Sequence, residues 1–152
     1  WINLFLSSVM RSRALELAVA EQPETQERMT ELRNKLIHGL TALPDVTLNG
    51  HPQQRLPGNV NVSVARVEGE ALILSLDMAG IAISSGSACT SGSLDPSHVL
   101  LAMGLDHQRA HGSLRITLGK STTEEDIDYV LSVVPGVIQR LRAMSPLRKP
   151  GE

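Results

Sequence analysis

Two short stretches of this chain alternate apolar and polar residues strictly, and they constrain its fold more than any other feature. Val60, Val62 and Val64 are separated by Asn61 and Ser63, and Leu114, Ile116 and Leu118 by Arg115 and Thr117. Successive side chains of a strand point to opposite faces, so the stretches Asn59 to Val64 and Ser113 to Leu118 read as strands with one apolar face and one polar face. The apolar face has to be covered. Val46 to Leu48 and Ile81 to Ser84 read as two further short strands.

Helices supply the cover. Met29, Leu32, Leu36, Leu40 and Leu43 recur at spacings of three and four, which places them on one helical face that should pack inward. Pro23 disfavours helical geometry at Gln22 and suits a first helical turn, so the region Arg11 to Leu43 is expected to hold one helix ending near Glu21 and another from Pro23, closed by Pro44. Glu68 to Ala79 predicts a buried helix stopped by Gly80. Asp95 before Pro96 reads as the N-cap and first turn of a helix through Val99, Leu100 and Met103. Ser121-Thr-Thr-Glu124 reads as a capping box opening a last helix with Ile127, Val130, Leu131 and Val134 inward. Pro135-Gly136 is expected to kink or interrupt it before Ile138 and Leu141. About four strands and four or five helices make an α/β two-layer domain, with a frayed tail at residues 146–152.

At 152 residues, 41% hydrophobic and 20% charged, the chain fits one soluble domain. Such a domain buries roughly 70% of its unfolded surface and needs no disulfide or metal. A formal charge of −2 argues against a nucleic-acid surface recognised by bulk charge. The single cysteine, Cys89, excludes an intrachain disulfide framework and a multi-cysteine zinc site, and fits a reducing, cytoplasmic setting. Trp1 to Met10 is apolar but short of the ~20 residues a spanning helix needs. It lacks the basic start of a signal peptide, so no membrane association is expected. A chain opening on Trp1 is expected to be part of something longer.

Cys89 lies in Ser84-Ser-Gly-Ser-Ala-Cys-Thr-Ser-Gly-Ser93, whose small residues suit an exposed, mobile loop. A thiol of reference pKa ~8.5 is only a few per cent thiolate at neutral pH, so a nucleophilic role needs local help. A lone cysteine is also often a small buried hydrophobe, and composition leaves both readings open. Arg115 presents a rigid, charged fork to the non-core face, where it either binds a ligand's α-carboxylate through two hydrogen bonds or pairs with a neighbouring carboxylate. His107 and His111 stand at helical metal-ligand spacing but have no third ligand, and read as surface or loop residues. Gly58-Asn-Val-Asn61 lacks phosphate-loop spacing.

The run Ser-Ser-Gly-Ser-Ala-Cys89, with Thr-Ser-Gly-Ser-Leu-Asp-Pro-Ser-His-Val-Leu after it and Ala-His-Gly-Ser-Leu-Arg115-Ile-Thr-Leu-Gly further on, resembles group I cysteine desulfurases. Those enzymes use pyridoxal phosphate to release sulfur from L-cysteine. Thr122-Thr-Glu-Glu-Asp-Ile-Asp-Tyr129 and Arg140-Leu-Arg-Ala-Met-Ser-Pro-Leu147 are similar to the family's C-terminal helix, and the resemblance reaches back to about Arg11. It implies the small C-terminal domain of a fold-type I aminotransferase-like fold, with a short, mostly antiparallel sheet covered by helices. Residues 11–145 would be that domain and residues 1–10 a divergent segment or junction.

The resemblance further implies that Cys89 accepts the sulfur as a persulfide and Arg115 holds the substrate carboxylate, leaving L-alanine. A sulfur-acceptor or scaffold protein for iron-sulfur cluster or thio-cofactor synthesis would then take the sulfur. The family's cofactor lysine follows a histidine, whereas Lys35, Lys120 and Lys149 follow Asn, Gly and Arg. No cofactor-binding residue is therefore expected in this chain, and pyridoxal phosphate and most of the homodimer interface would belong to the family's large domain. The chain alone would be inactive. The alternatives are a standalone persulfide carrier or partner-binding module, and a relic whose Cys89 is unused.

Overall fold

The computed structural model describes residues 2–85 and 96–145, with side chains described from Arg11 onward. Its elements run α1 (Ile2–Thr41), β1 (Val46–Leu48), β2 (Asn59–Val64), α2 (Gly69–Asp77), α3 (His98–Ala102), α4 (His107–His111), β3 (Ser113–Thr117) and α5 (Glu124–Met144). The three strands form one antiparallel sheet in the order β1-β2-β3. Val46 faces Val64, and Val62 faces Leu114, so the apolar residues of all three strands share one face. Leu36 and Leu40 of α1, Leu72 and Leu76 of α2, and Ile127, Val134 and Ile138 of α5 bury against that face. The α/β arrangement and its antiparallel sheet agree with the sequence reading.

The boundaries differ in several places. α1 runs unbroken through Pro23 rather than dividing at Glu21. Proline deprives the carbonyl four residues back, that of Val19, of its helical partner. Val19 is exposed, so water can serve that oxygen, and the surrounding Glu, Gln and Ala residues favour helix. α5 likewise continues past Pro135, because Val134, Val137 and Ile138 hold both halves of the helix to the core. Its capping box is Thr123 with Asp126, two residues beyond the expected Ser121 and Glu124. Thr122 is engaged instead in the preceding turn, its hydroxyl accepting from the Gly119 amide.

α3 begins at His98 with Ser97 in the N-cap position, not at Pro96. Asp95, its expected cap, and the tail at 146–152 lie outside the described residues. Of the expected strand Ile81 to Ser84, Ser84 alone pairs among the described residues, in a bridge to Arg115. The Gly80 stop is as expected: its φ of 76° is left-handed, and the Ile81 amide returns to the Leu76 carbonyl. Gly112 is required by close approach, since a Cβ there would lie 2.3 Å from the Val64 carbonyl oxygen. No helix among the described residues is long and apolar enough to cross a membrane.

The capping box is open to a direct test. Thr123→Ala removes the acceptor for the Asp126 amide and should lower stability by about 1 kcal/mol, read from urea unfolding. An unchanged midpoint would show that the cap adds nothing to α5.

Candidate functional site

The face of the sheet opposite the core is polar. Thr47, Asn59, Asn61, Ser63, Ser113, Arg115 and Thr117 all fall on it by alternation and register. Across it runs a row made by four adjacent backbone segments: Asn49 just past β1, Asn61 in β2, Arg115 in β3, and Ser84 on the outer edge. The Asn49 side-chain amide donates to Asn61 Oδ1 at 2.7 Å and to Ser63 Oγ at 2.9 Å, which satisfies a buried amide at one end of the row.

At the other end the Arg115 amide donates to the Ser84 carbonyl at 2.6 Å, and the Ser84 amide donates back to the Arg115 carbonyl at 3.1 Å. This reciprocal pair is the hydrogen-bonded kind of antiparallel pairing, which puts both side chains on one face. Because both polar backbone groups of Arg115 point toward Ser84, its pairing with Asn61 is of the other, narrower kind, with Cα atoms roughly 4.5 Å apart and side chains drawn together. Arg115 is therefore flanked closely on both sides by small polar residues.

The guanidinium is half-buried, and its five N–H groups are mostly uncommitted. Among the described residues its one side-chain partner is Ser84, with Nη2 to Oγ at 3.4 Å, and no carboxylate pairs with it. Of the two readings of Arg115 left open above, the internal ion pair is not found among these residues. A planar fork that is half-desolvated and lacks its own carboxylate can receive one from a ligand.

Cys89 lies outside the described residues. His107 and His111 do share a helix, α4, capped by Asp106, but both are exposed, and no group of three metal-ligating side chains occurs among the described residues.

The lysines bear on pyridoxal phosphate, which is held covalently through a free, neutral amine. Lys35 Nζ lies 2.6 Å from Asp128 and 2.7 Å from Glu124, and these hydrogen bonds, Asp128 first, raise its pKa above the usual lysine value and keep it protonated. Lys120 pairs with Glu21, and Lys149 is not among the described residues. The described lysines do not fit the cofactor.

Sequence reasoning finds Arg115 and misses its neighbours. The alternation in β2 places Asn61 on the polar face, but its position beside Arg115 depends on register. Ser84 carries a signal only as the first residue of the cysteine-bearing run.

Comparison with known proteins places this geometry in context. The family model for aminotransferase class-V matches residues 9–130. The cysteine desulfurase IscS 1 of Archaeoglobus fulgidus is 53% identical over 135 residues, covering 89% of this chain and 35% of the relative. The cysteine desulfurase IscS of Clostridium botulinum (strain Hall) is 56% identical over 138 residues, with the same coverage. A solved NifS-like protein superimposes with a TM-score of 0.73 at 35% identity, over 85% of this chain and 32% of its own. The chain thus spans about a third of the length of these relatives.

Proposed function

The chain belongs to the aminotransferase class-V family, and from that premise we propose that it is the sulfur-accepting part of a cysteine desulfurase. The cysteine desulfurase relatives support the assignment. On the molecule itself one observation carries it: the Arg115 fork, half-buried on the polar sheet face without a carboxylate partner among the described residues, at the root of the Cys89 run.

In this reading Arg115 binds the α-carboxylate of L-cysteine, and the Cys89 thiolate attacks the substrate sulfur. An S–S bond forms as the substrate C–S bond breaks, and the electron pair of that bond ends on the substrate carbon, which takes a proton. L-cysteine and the Cys89 thiol become L-alanine and a Cys89 persulfide, so atoms and electrons balance. Residues 11–145 form the domain that carries both groups. Pyridoxal phosphate would be held by other parts of a homodimeric enzyme, and the chain alone is inactive. The persulfide passes to an acceptor protein for iron-sulfur or thio-cofactor synthesis in the cytoplasm.

A second reading, a persulfide carrier loaded by another enzyme, draws on the ion-paired state of Lys35 and Lys120. The desulfurase reading requires a carboxylate-binding fork within reach of the thiol, whereas a carrier loaded elsewhere requires none. The test compares alkylation of Cys89 by iodoacetate, which carries a carboxylate, and by neutral iodoacetamide. Arg115→Ala should reduce the ratio of the two rates by about tenfold, because the anionic reagent loses its anchor. A ratio that does not change would separate Arg115 from the thiol and sink the shared site.

A further inference from the structure

We propose that Ser84 is the positioning residue for Arg115: its main chain clips the arginine's strand from the outer edge, and its hydroxyl orients the guanidinium. The role of the fork in binding carboxylate rests on the reading above; the clip itself rests on the contacts alone. The Ser84 hydroxyl donates to the Ser85 carbonyl at 2.8 Å. With its one proton so committed, the oxygen turns lone pairs outward, and these are what a guanidinium can use. Arg115 Nη2 lies 3.4 Å from that oxygen, a long contact that biases the fork without engaging the rest of its donors.

The other side of the arginine is fixed independently. Asn61 cannot swing away, because its Oδ1 accepts from Asn49 at 2.7 Å and its carbonyl accepts from the Asn49 amide at 2.8 Å. Arg115 thus stands in the sheet between an anchored asparagine on one side and an anchored serine on the other. A fork held in this way loses less rotamer entropy when it meets a planar carboxylate than a free surface arginine does. Ser84 is also the first residue of the cysteine-bearing run, so the residue that flanks the fork also opens that run in sequence.

The experiment follows the Arg115 Nε–Hε resonance in the 15N-labelled chain, assigned by its loss in Arg115→Ala. Ser84→Ala should move this resonance and speed its exchange with water several-fold, and Ser84→Thr, which keeps the hydroxyl, should restore it. The Ser84 and Arg115 backbone amides should stay equally protected in all three chains, since the clip is main-chain. Titration with sodium acetate against sodium chloride should show roughly threefold weaker saturation in Ser84→Ala, the size expected for losing one long, weak hydrogen bond. An unmoved Nε–Hε resonance in Ser84→Ala, or backbone amides at 84 and 115 that exchange freely in the unaltered chain, would overturn the proposal. Absence of any acetate response in the unaltered chain would instead remove the carboxylate reading, while the resonance in the free chain still decides whether Ser84 orients the fork.

Discussion

Serine in place of Cys89 is expected to abolish sulfur transfer outright rather than to slow it. A persulfide is an S–S bond, and serine offers no sulfur with which to form one; its hydroxyl is also far less acidic than a thiol, which itself is only a few per cent ionised at neutral pH. The measurement combines the chain with the remaining two thirds of a cysteine desulfurase relative and its cofactor, adds L-cysteine, and weighs the intact chain. The unaltered protein should gain the mass of one sulfur atom at Cys89, removable by cyanide, and Cys89→Ser should gain none. Equal sulfur on the serine variant would mean that the acceptor has been misassigned.

Removal of the Arg115 side chain should give the second largest effect, and should give it in substrate binding rather than in folding. One charge-assisted hydrogen bond to a carboxylate is worth about 1.5–3 kcal/mol, which at about 1.4 kcal/mol per decade corresponds to a roughly 10- to 100-fold rise in the KM for L-cysteine for each arm of the fork that is lost. Arg115→Lys keeps the charge and loses the fork, so it should recover part of that loss. Stability should change by less than about 1 kcal/mol, because the side chain has no ion pair among the described residues and the bridge to Ser84 is carried by the main chain. Unaltered KM in a folded Arg115→Ala protein would remove the arginine from the substrate site.

Much of this architecture is legible in the residue pattern. Periodicity identifies the inner faces of α1, β2, β3 and α5, since burial on one side of a regular element imposes its own repeat on the chain. The prolines carry less weight than their local chemistry suggests. Pro23 and Pro135 each weaken a helix locally, but solvent at Val19 and core packing around Val134 to Ile138 outweigh a single lost hydrogen bond. Arg33 escapes sequence reasoning because nothing in the local pattern marks it: it is only 4% exposed, its guanidinium donating to the Arg55 and Leu56 carbonyls and to Asn34.

The sequence by itself determined which faces of α1, β2, β3 and α5 are buried, that Arg115 stands on the polar side of its strand, and which run carries the only cysteine, because each of these is set by the identity and spacing of neighbouring residues. The tertiary structure alone decided what stands beside Arg115. Asn61 and Ser84 are 54 and 31 residues away along the chain and reach the arginine only through antiparallel register and a one-residue bridge. Register is fixed by how separated segments bury their apolar faces together, and a slip of one residue would carry Asn61 to the core side; no local pattern encodes it.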